Sequence, residues 1–186
     1  LLGHGANIRE IADTYKVKTD NLFDFSSNIN PLGISPVVKN IVKNGASVFN
    51  HYPDPESKLA RGVLANYLGV DSDNILLANG SNELIYLIPR ALGIRRALIC
   101  HPAFSEYEFS VRLAKAKPYS LLAKEKDGFS IDIKRVKEYA PKVNLIILAN
   151  PNNPTGYLLR KKQLMDLTNA CSKYGTYLLI DEVFID

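Results

Sequence analysis

Two short, wholly apolar runs, 145–149 (Leu-Ile-Ile-Leu-Ala) and 177–180 (Tyr-Leu-Leu-Ile), end abruptly in polar, backbone-shaping residues. The first empties into Asn150-Pro151-Asn152-Asn153-Pro154-Thr155-Gly156, the second into Asp181-Glu182-Val183-Phe184. Runs of this length, with no polar alternation and turn formers at the boundary, read as strands buried on both faces, as parallel strands are. An open parallel sheet keeps its ligand site outside the carboxyl ends of its strands, where these polar residues fall.

The rest of the chain supports that architecture from about residue 51 onward. Amphipathic patterns predict helices over 57–68, 82–92, 105–116, 132–139 and 159–173, interleaved with strands over 74–78, 96–100, 119–123, 145–149 and 177–180. Strands alternating with helices imply crossover connections, hence an α/β fold with a mostly parallel sheet and helices on both faces. Residues 1–50 are polar, turn-rich and weakly periodic: a short helix over 6–15, then an extended stretch, Asp24 to Gly33, running into a turn. The expected division is therefore an N-terminal arm with part of a small domain over 1–50, and a larger domain over 51–186.

The composition, 46% hydrophobic with a formal net charge of +4 over 186 residues, is that of a globular protein. Its cations are scattered, without a basic block interleaved with aromatics, which argues against nucleic acid as a partner. Cys100 and Cys171 form no framework of paired spacings and read as small packing residues, consistent with a reducing cytoplasm. No apolar run approaches membrane-spanning length, the opening Leu1-Leu2-Gly3-His4 is not a signal peptide, and no cluster of metal-ligating residues is expected.

An amide beside two prolines and a glycine makes a rigid polar hook, and the carboxylate of Asp181 places a fixed negative charge next to it. Taken singly, the hook is also an ordinary turn, and an aspartate after a strand is also a helix N-cap. An anion following four apolar or aromatic residues is costly to bury unless a cation pairs with it. The order, spacing and strand-end context of both segments resemble the pyridoxal-phosphate enzymes of aminotransferase fold type I.

That resemblance implies pyridoxal 5′-phosphate as cofactor, with Asn153 bonding its ring oxygen and Asp181 pairing with its protonated pyridine nitrogen. It implies further that Ser81 and Asn82, in Asn79-Gly80-Ser81-Asn82-Glu83, hold the cofactor phosphate. A loop entering a helix suits that task, because the N-terminal N–H groups and Gly80 permit close approach of an anion; the same loop also reads as a simple cap. In His101-Pro102-Ala103-Phe104-Ser105-Glu106-Tyr107 the resemblance assigns Phe104 to stack on the pyridine, with Tyr107 as the second candidate. Tyr52, in His51-Tyr52-Pro53-Asp54-Pro55, would reach the cofactor of a neighbouring subunit in a homodimer; it also reads as a tyrosine packed on a proline turn.

Within the family, His4-Gly5-Ala6-Asn7-Ile8-Arg9-Glu10 and Asp24 to Gly33 look like the opening of threonine-phosphate decarboxylases of cobalamin biosynthesis. The resemblance makes His4, Gly5, Asn28 and Asn153 the residues that contact a phosphorylated amino acid. Ala6 departs from the second glycine usual there. Phe184 bears on the reaction, because the related histidinol-phosphate aminotransferases usually carry a tyrosine at that position. The bond that stands perpendicular to the pyridine is the one that breaks: an upright carboxylate gives carbon dioxide and (R)-1-amino-2-propanol phosphate, an upright hydrogen gives transamination. The expectation is decarboxylation of O-phospho-L-threonine, with histidinol-phosphate aminotransferase as the alternative enzyme and a non-catalytic module of the same fold as the alternative class. The resemblance puts the Schiff-base lysine beyond Asp186, so the chain reads as an N-terminal fragment, inactive alone.

Overall fold

A computed structural model describes residues 7–27 and 29–185. His4, Gly5 and Asn28, assigned above to substrate contact, lie outside the described residues. The chain divides into two compact units, 1–58 and 59–186.

The second unit is a four-stranded parallel sheet in the order β2-β1-β3-β4, with β1 at Arg96–His101, β2 at Lys117–Leu122, β3 at Leu145–Ala149 and β4 at Tyr177–Asp181. Side chains alternate between the two faces of each strand. Leu98, Cys100, Ile146 and Leu148 pack on one face against Val136 of helix α6 (Ile133–Tyr139) and Leu167 and Cys171 of α7 (Lys161–Tyr174). Ala97, Ile99, Leu145 and Ile147 pack on the other against Ile85 of α4 (Ser81–Ala91) and Tyr107 and Val111 of α5 (Ser105–Leu113). The sheet is thus covered on both sides, as the apolar runs require. Burying side chains of this size is worth about 1.5–3 kcal/mol each.

The helix ends follow their sequence. Asp132 accepts from the N–H groups of Lys134 and Arg135 at 3.0 and 3.2 Å, fixing the start of α6. Gly175 adopts the left-handed conformation (φ 64) that stops α7 and turns the chain into β4. Burial pushes the Cys100 thiol up to about 12, so at neutral pH it is an inert packing group.

The expected strand over 74–78 is not formed. Ser72–Asn74 is a 3-10 turn, and Ile75 is extended (φ −116, ψ 125) but joins no ladder. Its composition suits a strand, yet a strand needs a neighbour, and among the described residues none lies alongside. The first unit contains α1 (Ile8–Tyr15) and α2 (Pro36–Asn44), the latter in a stretch expected to be irregular. The following helix, α3, spans Lys58–Leu68. No helix among the described residues is long and apolar enough to cross a membrane.

Candidate active site

β2 lies on one side of β1 and β3 on the other, so the loops leaving β1 and β3 diverge at a topological switch point. A cleft of about 200 Å³ opens there, lined by Ser81, Asn82, Phe104, Tyr107, Ala149, Asn153, Asp181, Val183 and Phe184. Five residues named from the sequence, Ser81, Asn82, Phe104, Asn153 and Asp181, therefore meet on one cleft, although they come from four separate segments of the chain. Tyr52 belongs to the first unit and is fully exposed on the single chain.

The Asn150–Gly156 hook divides its work among three amides. Asn150 is buried, and its Oδ1 accepts from Leu159 N at 2.7 Å while its own N–H donates to the Asp181 carbonyl at 2.8 Å. Asn152 is also buried and donates through Nδ2 to Pro102 O at 3.0 Å and to Thr155 Oγ1 at 2.8 Å. The bond to Pro102 ties the loop after β3 to the loop after β1, and the bond to Thr155 closes the hook on itself. Asn153 remains to face the cleft. Sequence reading singled out the third amide and missed the structural duties of the first two, which involve partners outside the motif at Leu159, Asp181 and Pro102.

Asp181 ends β4 half-buried. Its Oδ1 accepts from Val183 N at 3.0 Å, and its Oδ2 accepts from the Tyr107 phenol at 2.8 Å. The Tyr107 ring stands edge-on to Phe104, with centroids 5.7 Å apart and planes at 82°, so Tyr107 serves the carboxylate and leaves Phe104 as the flat aromatic surface of the cleft. Burial first, then the hydrogen bond to Asp181 and its charge, push the Tyr107 phenol well above the usual tyrosine range, so it remains a donor.

Gly80 precedes α4 with φ 78 and ψ 163, a conformation that glycine alone adopts readily, and no side chain caps the first turn. Glu83 instead reaches back to accept from Asn79 N at 2.7 Å. The leading N–H groups of α4 and the Ser81 hydroxyl are thereby left at the cleft, an arrangement that accepts an anion such as phosphate. At the opposite end, a carboxylate stands among described lining residues that include no lysine, arginine or histidine. A ligand with a phosphate at one end, a flat ring and a protonated nitrogen fits these groups. A larger cavity, about 430 Å³, lies beside β1 and β2 and is lined by Cys100, Lys124 and Arg135 among others. Size does not select the site, because that cavity contains neither the switch-point loops nor an aromatic face.

A parallel α/β sheet with such a cleft at its switch point is the arrangement of α/β proteins that bind ligands at the strand ends, and the groups here suit an anionic aromatic one. Residues 20–186 match the family model described as aminotransferase class I and II, and the chain belongs to that family. Pyridoxal 5′-phosphate is its cofactor. The chain is 33% identical over 183 residues to threonine-phosphate decarboxylase of Salmonella typhimurium, covering 98% of this chain and 50% of that protein. Its fold is similar to that of the histidinol-phosphate aminotransferase from Clostridium acetobutylicum, with TM-score 0.81 and 31% identity over 88% of this chain and 48% of that one. It is also similar to L-threonine-O-3-phosphate decarboxylase from Porphyromonas gingivalis, with TM-score 0.65 and 30% identity over 80% of this chain and 42% of that one. The chain spans about half the length of the curated relatives it matches.

Proposed function

We propose that the protein is a pyridoxal-phosphate enzyme acting on a phosphorylated amino acid or amine, and that the cleft between Ser81 and Asp181 holds its cofactor. The observation that carries this reading is the convergence of Ser81, Asn82, Phe104, Asn153 and Asp181 on one cleft at the strand ends. Bound there, the cofactor supplies an electron sink for a broken bond at the substrate's amine-bearing carbon. Asp181 holds a proton on the ring nitrogen, the α4 N-terminus with Ser81 anchors the phosphate, Phe104 covers one ring face, and Asn153 bonds the ring oxygen. Residues 51–186 belong to the cofactor-binding domain and 1–50 to an arm and small-domain segment. Tyr52 joins the cofactor of a partner subunit in a homodimer, and His4, Gly5 and Asn28 contact substrate.

Between the two reactions, transamination of the histidinol-phosphate kind comes first. The fold likeness to the aminotransferase is the stronger, at TM-score 0.81 against 0.65, while identity is nearly equal at 31% and 30%. This reverses the preference drawn from sequence. Decarboxylation of O-phospho-L-threonine is the second reading, favoured by Phe184, which lines the cleft without a hydroxyl to offer, and by the 33% identity to the Salmonella typhimurium decarboxylase.

The test is to give the full-length, cofactor-loaded protein each substrate in turn: histidinol phosphate with a 2-oxo acid acceptor, then O-phospho-L-threonine. Amino transfer from the first, lost in Asp181→Asn, supports the aminotransferase. Carbon dioxide from the second, lost in the same variant, moves the assignment to the decarboxylase. Neither product from a protein that binds the cofactor would overturn both and leave a non-catalytic module.

A further inference from the structure

We propose that Tyr107 is a positioning residue for the cofactor, its phenol O–H locking the Asp181 carboxylate in the orientation that meets the ring nitrogen. The inference rests on the reading of Asp181 as partner of that nitrogen. Three features of the structure carry it.

The two oxygens of Asp181 are anchored differently. Val183 N, which holds Oδ1, sits two residues along the same turn and moves with it. Tyr107, which holds Oδ2, comes from α5, 74 residues away in sequence, and ties the carboxylate to a separate rigid element. With both anchors, rotation of the carboxylate about its last bond is blocked. With the turn alone it is not, and the free oxygen can leave the cleft.

Tyr107 is itself packed into the core. It is 1% exposed, packed with Ile99, Val111 and Ile147 in the core and set edge-on to Phe104. A ring held this way delivers its hydroxyl to one point. The same side chain thus braces both the aromatic surface and the anion of the cleft, so their spacing is set by a single residue.

The local charges leave few substitutes. Asp181 also borders a second cleft, lined by Leu84, Ile85, Ile88, Leu179 and Glu182 among others. Across the described lining of both clefts, Tyr107 and Glu182 are the other titratable groups. Glu182 is a second acid and cannot donate to Asp181 when ionised, and the side-chain donor that reaches Asp181 is Tyr107. The phenol is held protonated by its burial and by Asp181 itself, so it donates at neutral pH.

The experiment uses the full-length protein loaded with pyridoxal 5′-phosphate carrying ¹⁵N in the ring. The wild type should give the ring-nitrogen shift of a protonated pyridine. Tyr107→Phe, confirmed folded by circular dichroism, should move it toward the unprotonated value and weaken cofactor affinity on the order of tenfold, the loss of one hydrogen bond to a charged group. An unmoved shift in Tyr107→Phe would overturn the proposal. An unprotonated shift in the wild type would instead overturn the reading of Asp181. Should the phenylalanine variant not fold, 3-fluorotyrosine at 107 preserves the shape: its ¹⁹F resonance should move when the cofactor is added, and a static resonance would overturn the proposal.

Discussion

The two compact units of this chain are stabilised on opposite terms. In 59–186 the sheet carries its own core, and no residue of β3 is more than 3% exposed. In 1–58, Ala12 is the one buried apolar residue among those described, while Phe23, Phe25 and Leu32 are 89%, 96% and 91% exposed. The first unit is shaped by short-range polar bonds instead. The Ser26 and Ser27 hydroxyls and the Ser26 N–H donate to Asp24 and hold its carboxyl below the usual range, and Asp54 accepts from the N–H groups of Glu56 and Lys58. The lesson is that conformational information is stored differently in the two: as buried area in one, as local hydrogen-bonded turns in the other. A site that needs fixed distances belongs on the first kind of scaffold, and the cleft is built there.

The contrast is broken most directly by truncating one side chain from each unit. Ile147→Ala, in the middle of β3, should cost about 2–5 kcal/mol in equilibrium denaturation, because the close-packed sheet cannot collapse around the gap. Phe25→Ala should change stability by no more than about 0.5 kcal/mol. Equal losses would mean that the second unit has no privileged core.

A smaller effect concerns pH. Unfolded tyrosines ionise near pH 10, whereas Tyr107 in the folded sheet stays protonated to higher pH. Its contribution to stability is fully present below about pH 10 and is lost as pH rises from there toward the folded value, because the unfolded state then binds fewer protons. Denaturation midpoints should therefore fall above that pH, and Tyr107→Phe should make the fall shallower. A slope unchanged by the substitution would show that the phenol is not held as described.

How much of this was legible in the sequence depended on where each partner lay. β1, β3 and β4 were readable because continuous apolar runs report burial without reference to any neighbour. The stretch 74–78 was misread because pairing is a property of two segments, and only one was visible. Helix α2 was overlooked although Val37, Val38, Ile41 and Val42 carry a helical spacing; they lie 48–68% exposed, so their pattern marks no buried face. In the site, the motif at 150–156 and Asp181 were legible as strand-end chemistry. The bond from Tyr107 to Asp181 was not, because nothing local to either residue distinguishes a stacking tyrosine from one that braces a carboxylate across the fold.

The central claim is that pyridoxal 5′-phosphate binds where Ser81, Phe104, Asn153 and Asp181 converge, and not in the larger cavity beside Arg135. Equilibrium binding of the cofactor to the full-length protein tests it, with Asp181→Ala and Arg135→Ala compared with the wild type. Loss of affinity on the order of a hundredfold in Asp181→Ala, the effect of leaving one partner of a close charge pair alone, with Arg135→Ala unchanged, is the predicted result. Wild-type affinity in Asp181→Ala, or a loss that follows Arg135 instead, would contradict it.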